Sequence, residues 1–285
     1  MKLALLDWPS NLGLRPSGVE TLPSALRAAG LLDRLQARDA GSMAPSAAYD
    51  ATRSSETGLL NGPALRKSVE RLAAAIGEVM ARGEVPLVLA GDCSVVLAGL
   101  LGARKAHGGR VGLLFIDGHA DVDLPADSPT GEAADMDLAL ATGRGPSLLT
   151  AFGDETPLVR DEDVAAVGAR DEQSLQHTAI TQFDLAAIRA RGIAAIAAGA
   201  LEVVQRAPRF WCHIDADVLD DAVMPAVDYR QPDGLTPEEL TALLREAAQS
   251  GRMAGLSLAI YNPALDPAGE GARLLVDVLV GALQG

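Results

Sequence analysis

The sequence predicts an α/β protein in three αβα layers, with helices on both faces of a mostly parallel central sheet. Short apolar runs such as 85–91 and 111–116 lack polar alternation, which is typical of strands buried in a parallel sheet. Between such runs, apolar residues recur at helical spacing, as at Leu65, Val69 and Leu72. Strands that alternate with helices favour a parallel sheet covered on both sides.

The same patterns place the elements along the chain. The predicted strands are residues 1–7, 85–91, 111–116, 163–171, 209–217 and 253–263. The predicted helices are residues 22–35, 63–81, 94–107, 184–192, 193–205, 236–251 and 272–284. The helix at 236 begins with a capping box, since Thr236 is followed three residues later by Glu239. Residues 41–62 are predicted to be a surface excursion, and the absence of a linker predicts one domain, 1–285.

Composition excludes several classes of function. The apolar fraction of 48% is ample for a core, which must consist mainly of Ala, Leu and Val because aromatic residues make up only 3%. A formal charge of −14 argues against binding to nucleic acid. No signal peptide or membrane span is recognisable, so we expect a cytoplasmic protein whose Cys93 and Cys212 stay reduced.

Two predicted strands end in dense clusters of ligand-type side chains. Asp117, His119 and Asp121 follow the strand at 111–116, and Asp215 and Asp217 follow the apolar run that begins at 209. Open α/β sheets bind ligands beyond the carboxyl ends of their strands. Like charges packed this densely repel unless a cation lies between them. A single Asp at a strand end would be interpreted as an ordinary solvated loop residue, but the two clusters together predict a two-metal site.

At these residues the chain resembles the arginase, agmatinase and formimidoylglutamase family of ureohydrolases. The resembling segments are GVETLPSALRAAGLLDRL (18–35), AGDCS (90–94), DGHAD (117–121) and DADVLD (215–220), in the order of the family. The resemblance implies an arginase-like fold, two Mn(II) ions that share a hydroxide, a small-molecule substrate, and a homo-oligomer that is a trimer or a hexamer.

The resemblance also implies a role for each ligand. One ion would be held by Cys93, Asp117, Asp121 and Asp215, and the other by Asp117, His119, Asp215 and Asp217. Asp121 would in addition orient the hydroxide, as a catalytic residue. The family normally has histidine where this chain has Cys93. Because thiolate favours softer ions than Mn(II), we expect one position to bind manganese weakly or to hold Zn(II) or another divalent ion. Near two cations, the pKa of this thiol should fall.

The substrate-binding segments depart further from arginase. TGEAAD has Ala134 in place of the proton-shuttle histidine, and IYNP has Ile260 in place of the glutamate that clamps the guanidinium. L-Arginine is therefore expected to be a poor substrate. Loop residues predicted to contact the substrate are Asp123, Glu132 and Asp171, with Glu132 the first choice and with Asp135 and Tyr229 as further polar groups near the cleft.

The leading hypothesis is a metal-dependent hydrolase that cuts a linear C–N bond of a guanidino, amidino or hydroxyguanidino compound. The alternative is a family member that has lost catalysis and acts as a binding or regulatory subunit. Deacetylase-like relatives with one zinc fit the paired acids poorly. His213 lies on the same strand face as Asp215, and either supports a ligand or is a buried histidine bonded to backbone.

Overall fold

The protein was analysed as a computed structural model, which describes residues 1–153, 156–170 and 175–284. Its strands are β1 (Leu3–Trp8), β2 (Arg38–Ser42), β3 (Val85–Ala90), β4 (Val111–Ile116), β5 (Val164–Val167), β6 (Thr181–Phe183), β7 (Arg209–Asp215) and β8 (Met253–Ala259). They form one sheet in the order β2-β1-β3-β8-β7-β4-β5-β6, and every pair among these described strands is parallel.

Helices cover both faces of this sheet. They are α1 (Leu22–Ala28), α2 (Leu31–Leu35), α3 (Gly62–Ala81), α4 (Val95–His107), α5 (Asp137–Ala141), α6 (Ser147–Thr150), α7 (Leu185–Arg191), α8 (Ile193–Val204), α9 (Pro237–Gln249) and α10 (Glu270–Leu283). Helix α3 packs on α4, which lies against β4, β7 and β8, whereas α8, α9 and α10 form a second row that α1 extends. The three-layer αβα prediction is therefore confirmed.

Strands β7 and β8 lie between β3 and β4, so the carboxyl ends of four neighbouring strands meet at one edge. The centre of this sheet is packed around Trp211, which is completely buried. A Cβ at Gly99 of α4 would lie 2.2 Å from the Trp211 ring, and one at Gly255 of β8 would lie 2.3 Å from it. Both positions lack a side chain because the indole occupies that space.

The predicted elements differ from the structure at a few places. The helix predicted at 22–35 is two helices, because Gly30 has φ 87° and interrupts it. The strand predicted at 163–171 is only Val164–Val167, and β2 and β6 were not predicted. The capping box of α9 is confirmed: Thr236 Oγ1 accepts from Glu239 N at 3.2 Å, and Glu239 Oε2 accepts from Thr236 N at 2.9 Å. Among the described helices, none combines the length and apolar character needed to cross a bilayer.

Candidate metal centre

The candidate site lies where β3, β8, β7 and β4 end side by side. Cys93 follows β3, Asp117 follows β4, Asp215 is the last residue of β7, and Ile260 follows β8. Parallel strands direct their carboxyl ends to the same edge, so segments far apart in sequence converge there. Of the predicted metal ligands, all six are brought to this edge: Cys93, Asp117, His119, Asp121, Asp215 and Asp217.

The loop after β4 turns sharply to present three side chains. Asp117 Oδ1 accepts a hydrogen bond from His119 N at 2.7 Å, which closes a tight turn. Asp121 has φ 47°, in the left-handed region that Asp tolerates better than most residues. Asp117 is buried and Asp121 nearly so, while His119 is partly exposed. The two carboxylates therefore face the interior of the cleft rather than bulk water.

The loop after β7 is bonded to the loop after β4. Asp215 Oδ1 accepts from Asp217 N at 2.7 Å, and Asp217 Oδ1 accepts from Gly118 N at 3.2 Å. His119 Nδ1 lies 3.0 Å from Asp217 Oδ2 and 3.8 Å from Asp117 Oδ1. Two donors bound to one ion at about 2.0–2.2 Å can be at most about 4.4 Å apart. These three residues are thus spaced to share a cation, as predicted for one of the two positions.

Cys93 is buried beside the same acids. Its Sγ donates to Asp215 Oδ2 at 2.8 Å, so the cysteine touches one of its predicted fellow ligands. The preceding residue, Asp92, supports the loop: it accepts hydrogen bonds from Gly13 N and Ser94 N, each at 3.1 Å. Asp92 lies outside the candidate ligand groups, and its hydrogen bonds hold the loop that presents Cys93.

Burial dominates the electrostatics of the cluster. Burial, followed by the charge of Asp117, raises the pKa of Asp121 well above its usual range. Burial and then Asp217 likewise raise the pKa of Asp215. Burial opposes ionisation of Asp217, but hydrogen bonds led by that from His119 leave its pKa lowered. A divalent cation would favour the ionised form of all these groups, so the donor set fits a metal centre.

The thiol of Cys93 behaves differently from the expectation based on nearby cations. Burial and then the charge of Asp215 raise the pKa of Cys93 well above its usual range. The protein groups alone therefore favour the thiol. A fall in this pKa, as predicted, requires a cation within bonding distance of the sulfur.

Two candidate groups of ligand atoms emerge from the described residues. In each group the atoms lie within 4.8 Å of one another: Asp117, His119 and Asp217 form one, and Cys93, Asp117 and His213 form the other. Asp117 belongs to both groups, consistent with its predicted bridging position. His213 was not a predicted ligand. It is fully buried, and its Nδ1 is 2.9 Å from Ser257 Oγ. The sequence left open whether His213 supports a ligand or bonds to the backbone, and the structure shows a bond to a side chain instead of the backbone.

The predicted metal ligands other than Asp117 line a cleft of about 220 Å³. Its lining residues are Leu14, Cys93, His119, Asp121, Asp123, Pro129, Thr130, Ala134, Asp135, Asp215, Asp217, Tyr229 and Ile260. Ala134 and Ile260, which the sequence predicts to stand in place of the shuttle and the clamp, both line this cleft. Ile260 has φ 72°, which is rare for a β-branched residue, and its N donates to Gly91 O at 2.9 Å. The backbone at this wall is therefore held in a strained conformation by its neighbours.

The predicted substrate contacts fall into three situations. Asp123 lines the cleft. Glu132 is buried behind the wall, where one oxygen accepts from Arg15 N at 2.9 Å and the other from Tyr229 Oη at 3.2 Å. It thus supports Tyr229, and direct contact between Glu132 and substrate stays a prediction. Asp171 lies outside the described residues.

One further acid was missed by sequence reasoning. Asp137 is the first residue of α5 and is completely buried, with its Oδ2 3.9 Å from His213 Nε2. In the sequence it stands between Met136 and Leu138, and a charged residue inside an apolar run was the only available signal. Nothing in the sequence indicated that it meets His213.

Comparison with known proteins agrees with the fold and identifies the family. A family model described as the arginase family matches residues 2–284. Arginases from Bacillus caldovelox and from Staphylococcus aureus strain MRSA252 are each 29% identical over 294 residues, which cover 99% of this chain and 98% and 96% of those proteins. The crystal structure of the Bacillus caldovelox arginase superposes with a TM-score of 0.91 at 28% identity, covering 100% of this chain and 98% of the other.

Proposed function

The chain belongs to the arginase family, and on that premise we propose that it hydrolyses a linear C–N bond in a guanidino, amidino or hydroxyguanidino compound. The observation that carries the proposal is the convergence of Asp121 and Asp215, which line one cleft, with Asp117, which is buried beside them. Three buried carboxylates in contact with ligand-type neighbours are costly without a counter-charge. A hydrolase that uses divalent cations explains why they are kept together.

The proposed cofactor is a pair of Mn(II) ions. Cys93 would weaken the binding of one of them, and Zn(II) or another divalent ion could take that position instead. Ions held there would supply an activated water and offset the charge that develops at the carbon under attack. Asp121 lines the cleft, with its backbone in the left-handed region. In this proposal its carboxylate would accept a hydrogen bond from the attacking water and orient it.

The walls of the cleft support a substrate other than L-arginine. Ile260 and Ala134 offer neither a counter-charge for a guanidinium nor a proton carrier. Polar groups remain at Asp123, Asp135 and Tyr229, which also line the cleft. We therefore propose a compound whose reacting group lies against the metals and whose polar end meets these residues. The rest of the proposal is a cytoplasmic homo-oligomer, a trimer or a hexamer, built from one domain of 285 residues.

A binding or regulatory subunit without catalysis is the competing function. The missing shuttle and clamp favour it, but the carboxylate ligands are all present and converge, which a degraded site would not require. Retained carboxylates therefore support catalysis.

The proposal is tested by a substrate screen with the Mn(II)-loaded protein. Guanidino acids, agmatine, formimino compounds and hydroxyguanidines are incubated with the enzyme, and release of urea, ammonia or hydroxyurea is measured. We expect turnover of at least one compound, and its loss in Asp121→Asn. If the protein binds its ions and no compound in the screen is hydrolysed, the catalytic proposal falls and the binding-subunit alternative replaces it.

A further inference from the structure

Among the described residues, two buried side chains behind the cleft have polar atoms without a hydrogen-bond partner. His213 lies on β7, its ring stacked on Phe115 with centroids 5.5 Å apart. Its Nδ1 contacts Ser257 Oγ, whereas its Nε2 makes no hydrogen bond. Asp137 is fully buried, and in the part of the chain that the structure describes neither of its carboxylate oxygens accepts a hydrogen bond of normal geometry, although the backbone N–H of Leu138 is close enough to favour its ionised form. Such groups are costly to bury without a partner, so each calls for an explanation.

The two groups do not satisfy each other directly. His213 Nε2 and Asp137 Oδ2 are 3.9 Å apart, which is too far for a hydrogen bond. The same separation lies within the span of about 4.4 Å that two ligands of one ion can have. A cation between them would satisfy both.

Two more donors complete this environment. The ligand atoms of Cys93, Asp117 and His213 lie within 4.8 Å of one another. We propose that Cys93, Asp117 and His213 form a cation site behind the cleft floor and hold the ion associated with Cys93. Asp137 lies outside this group of three, 3.9 Å from His213 Nε2, and we propose that it closes on the ion as the fourth ligand. The inference rests on the metal binding in the proposed function, and it replaces Asp121 and Asp215 as partners of Cys93 for that ion.

The donor set specifies the chemical class of the ion. One sulfur, one imidazole nitrogen and two carboxylate oxygens suit Zn(II), which takes four such ligands in a tetrahedron, better than Mn(II). Four protein ligands also leave no open coordination position. The site would thus be a closed one, next to the position formed by Asp117, His119 and Asp217.

The surroundings of His213 suit a ligand role. Ser257 Oγ has two lone pairs, so it can accept from Trp211 Nε1, at 3.0 Å, and from His213 Nδ1. In that arrangement the proton is on Nδ1, and the Nε2 lone pair faces Asp137 and the cation. A hydrogen bond of this kind on the far nitrogen commonly fixes the tautomer of a metal-binding histidine.

Cys93 has two sets of neighbours that could share its ion, and we favour the deeper set. Its thiol now donates to Asp215 at 2.8 Å. Binding as a thiolate would release that proton and leave Asp215 free to serve the neighbouring ion. The deeper set gives a partner to His213 Nε2 and to the Asp137 carboxylate, which otherwise lack one among the described residues, whereas the set with Asp121 and Asp215 leaves both unsatisfied.

The test is a titration of the apo protein with Co(II), followed by the thiolate-to-cobalt charge-transfer band, and with Zn(II) in competition. Asp137→Asn and His213→Gln are compared with Asp121→Asn, a matched control that alters a buried acid on the other side of Cys93. We expect the wild type to show the band. The Kd for the thiolate-bound ion should rise at least about tenfold in Asp137→Asn and His213→Gln, and less than about threefold in Asp121→Asn.

A thermal measurement separates ligand loss from misfolding. In EDTA, Asp137→Asn should melt at the wild-type temperature or above it, because it removes a buried carboxyl without partners. In Zn(II) it should gain less stability than wild type, because a ligand of the native state is missing. An equal gain from zinc in the two proteins would refute the inference.

The other outcomes are equally distinct. A band that weakens in Asp121→Asn but persists in the Asp137 and His213 variants would place the ion on the cleft side, and only this inference would fall. Cobalt that binds without any thiolate band would also overturn it alone. A protein that binds no divalent ion would overturn the proposed function as well.

Discussion

His119 Nδ1 lies 3.0 Å from Asp217 Oδ2, and this contact joins the loops that follow β4 and β7. The two residues are 98 positions apart in sequence, yet both are within 4.8 Å of a ligand atom of Asp117. Because β4 and β7 are neighbours in the sheet, the contact follows directly from strand order. It shows that the first candidate ion position is built from two strand ends and not from one motif.

Asp215→Ala is expected to lower the rate of metal-dependent hydrolysis more than about 100-fold, and Asp121→Ala should lower it equally. If Asp215 bridges both ions, its loss should also empty the site, whereas an ion held by Cys93, His213 and Asp137 should remain bound without Asp215. Turnover, metal content per chain and far-UV circular dichroism are measured together. Asp277→Ala, at an exposed position paired with Arg34, is the control. Full metal stoichiometry in the Asp215 variant would show that this residue does not bridge.

L-Arginine is expected to be a poor substrate or none, because Ile260 and Ala134 face the cleft where arginase has its clamp and its shuttle. A buried guanidinium without a carboxylate loses several kcal/mol, on the order of 3–5. The kcat/KM for arginine is compared with that for the best compound of the screen. Efficient arginine turnover by the wild-type protein would contradict the proposed substrate class.

Cys93→His is expected to raise manganese affinity at the Cys93 position by about tenfold, since imidazole suits Mn(II) better than thiolate does. Metal content is measured after dialysis against manganese and then against buffer. Cys212→Ala, which removes the other buried cysteine, should leave the metal content unchanged. If wild type already holds two ions tightly and the histidine variant matches it, Cys93 does not weaken the site.

Asp161→Asn is expected to lower the free energy of unfolding by about 0.5–1 kcal/mol at neutral pH. The hydrogen bond from Arg144, at 2.8 Å, lowers the pKa of Asp161 below its usual value. A lowered native pKa contributes stability that is present above the unfolded pKa of about 4 and is lost as pH falls through the native value.

Urea denaturation of wild type and Asp161→Asn at a series of pH values measures this difference. It should shrink as the pH falls below about 4. Asp277→Asn, which breaks a more exposed pair, should show a smaller effect at every pH. A difference between wild type and Asp161→Asn that is independent of pH would show that the ion pair is not its cause.

The sequence was sufficient for most of the fold, and the six metal ligands predicted from it are side chains that the structure brings to one edge of the sheet; their role as ligands stays a prediction. Unbroken apolar runs identify β1, β3, β4, β7 and β8, because strands buried on both faces exclude polar residues. The edge strands β2 and β6 escaped prediction because they are short and polar: Arg38–Ser42 is largely exposed, and Thr181–Phe183 has only three residues. Ligands such as Asp117 and Asp215 were recognisable because each follows such a run directly.

Only the tertiary structure decided which of these groups meet. Strand order places β7 and β8 between β3 and β4, and this brings Cys93 to Asp215 across 122 positions. It also brings Asp137 to within 3.9 Å of His213, although neither lies in a recognisable motif. The local sequence determines where apolar residues recur and where each strand ends. The partners of a buried charge depend on long-range packing, which cannot be predicted from a local pattern.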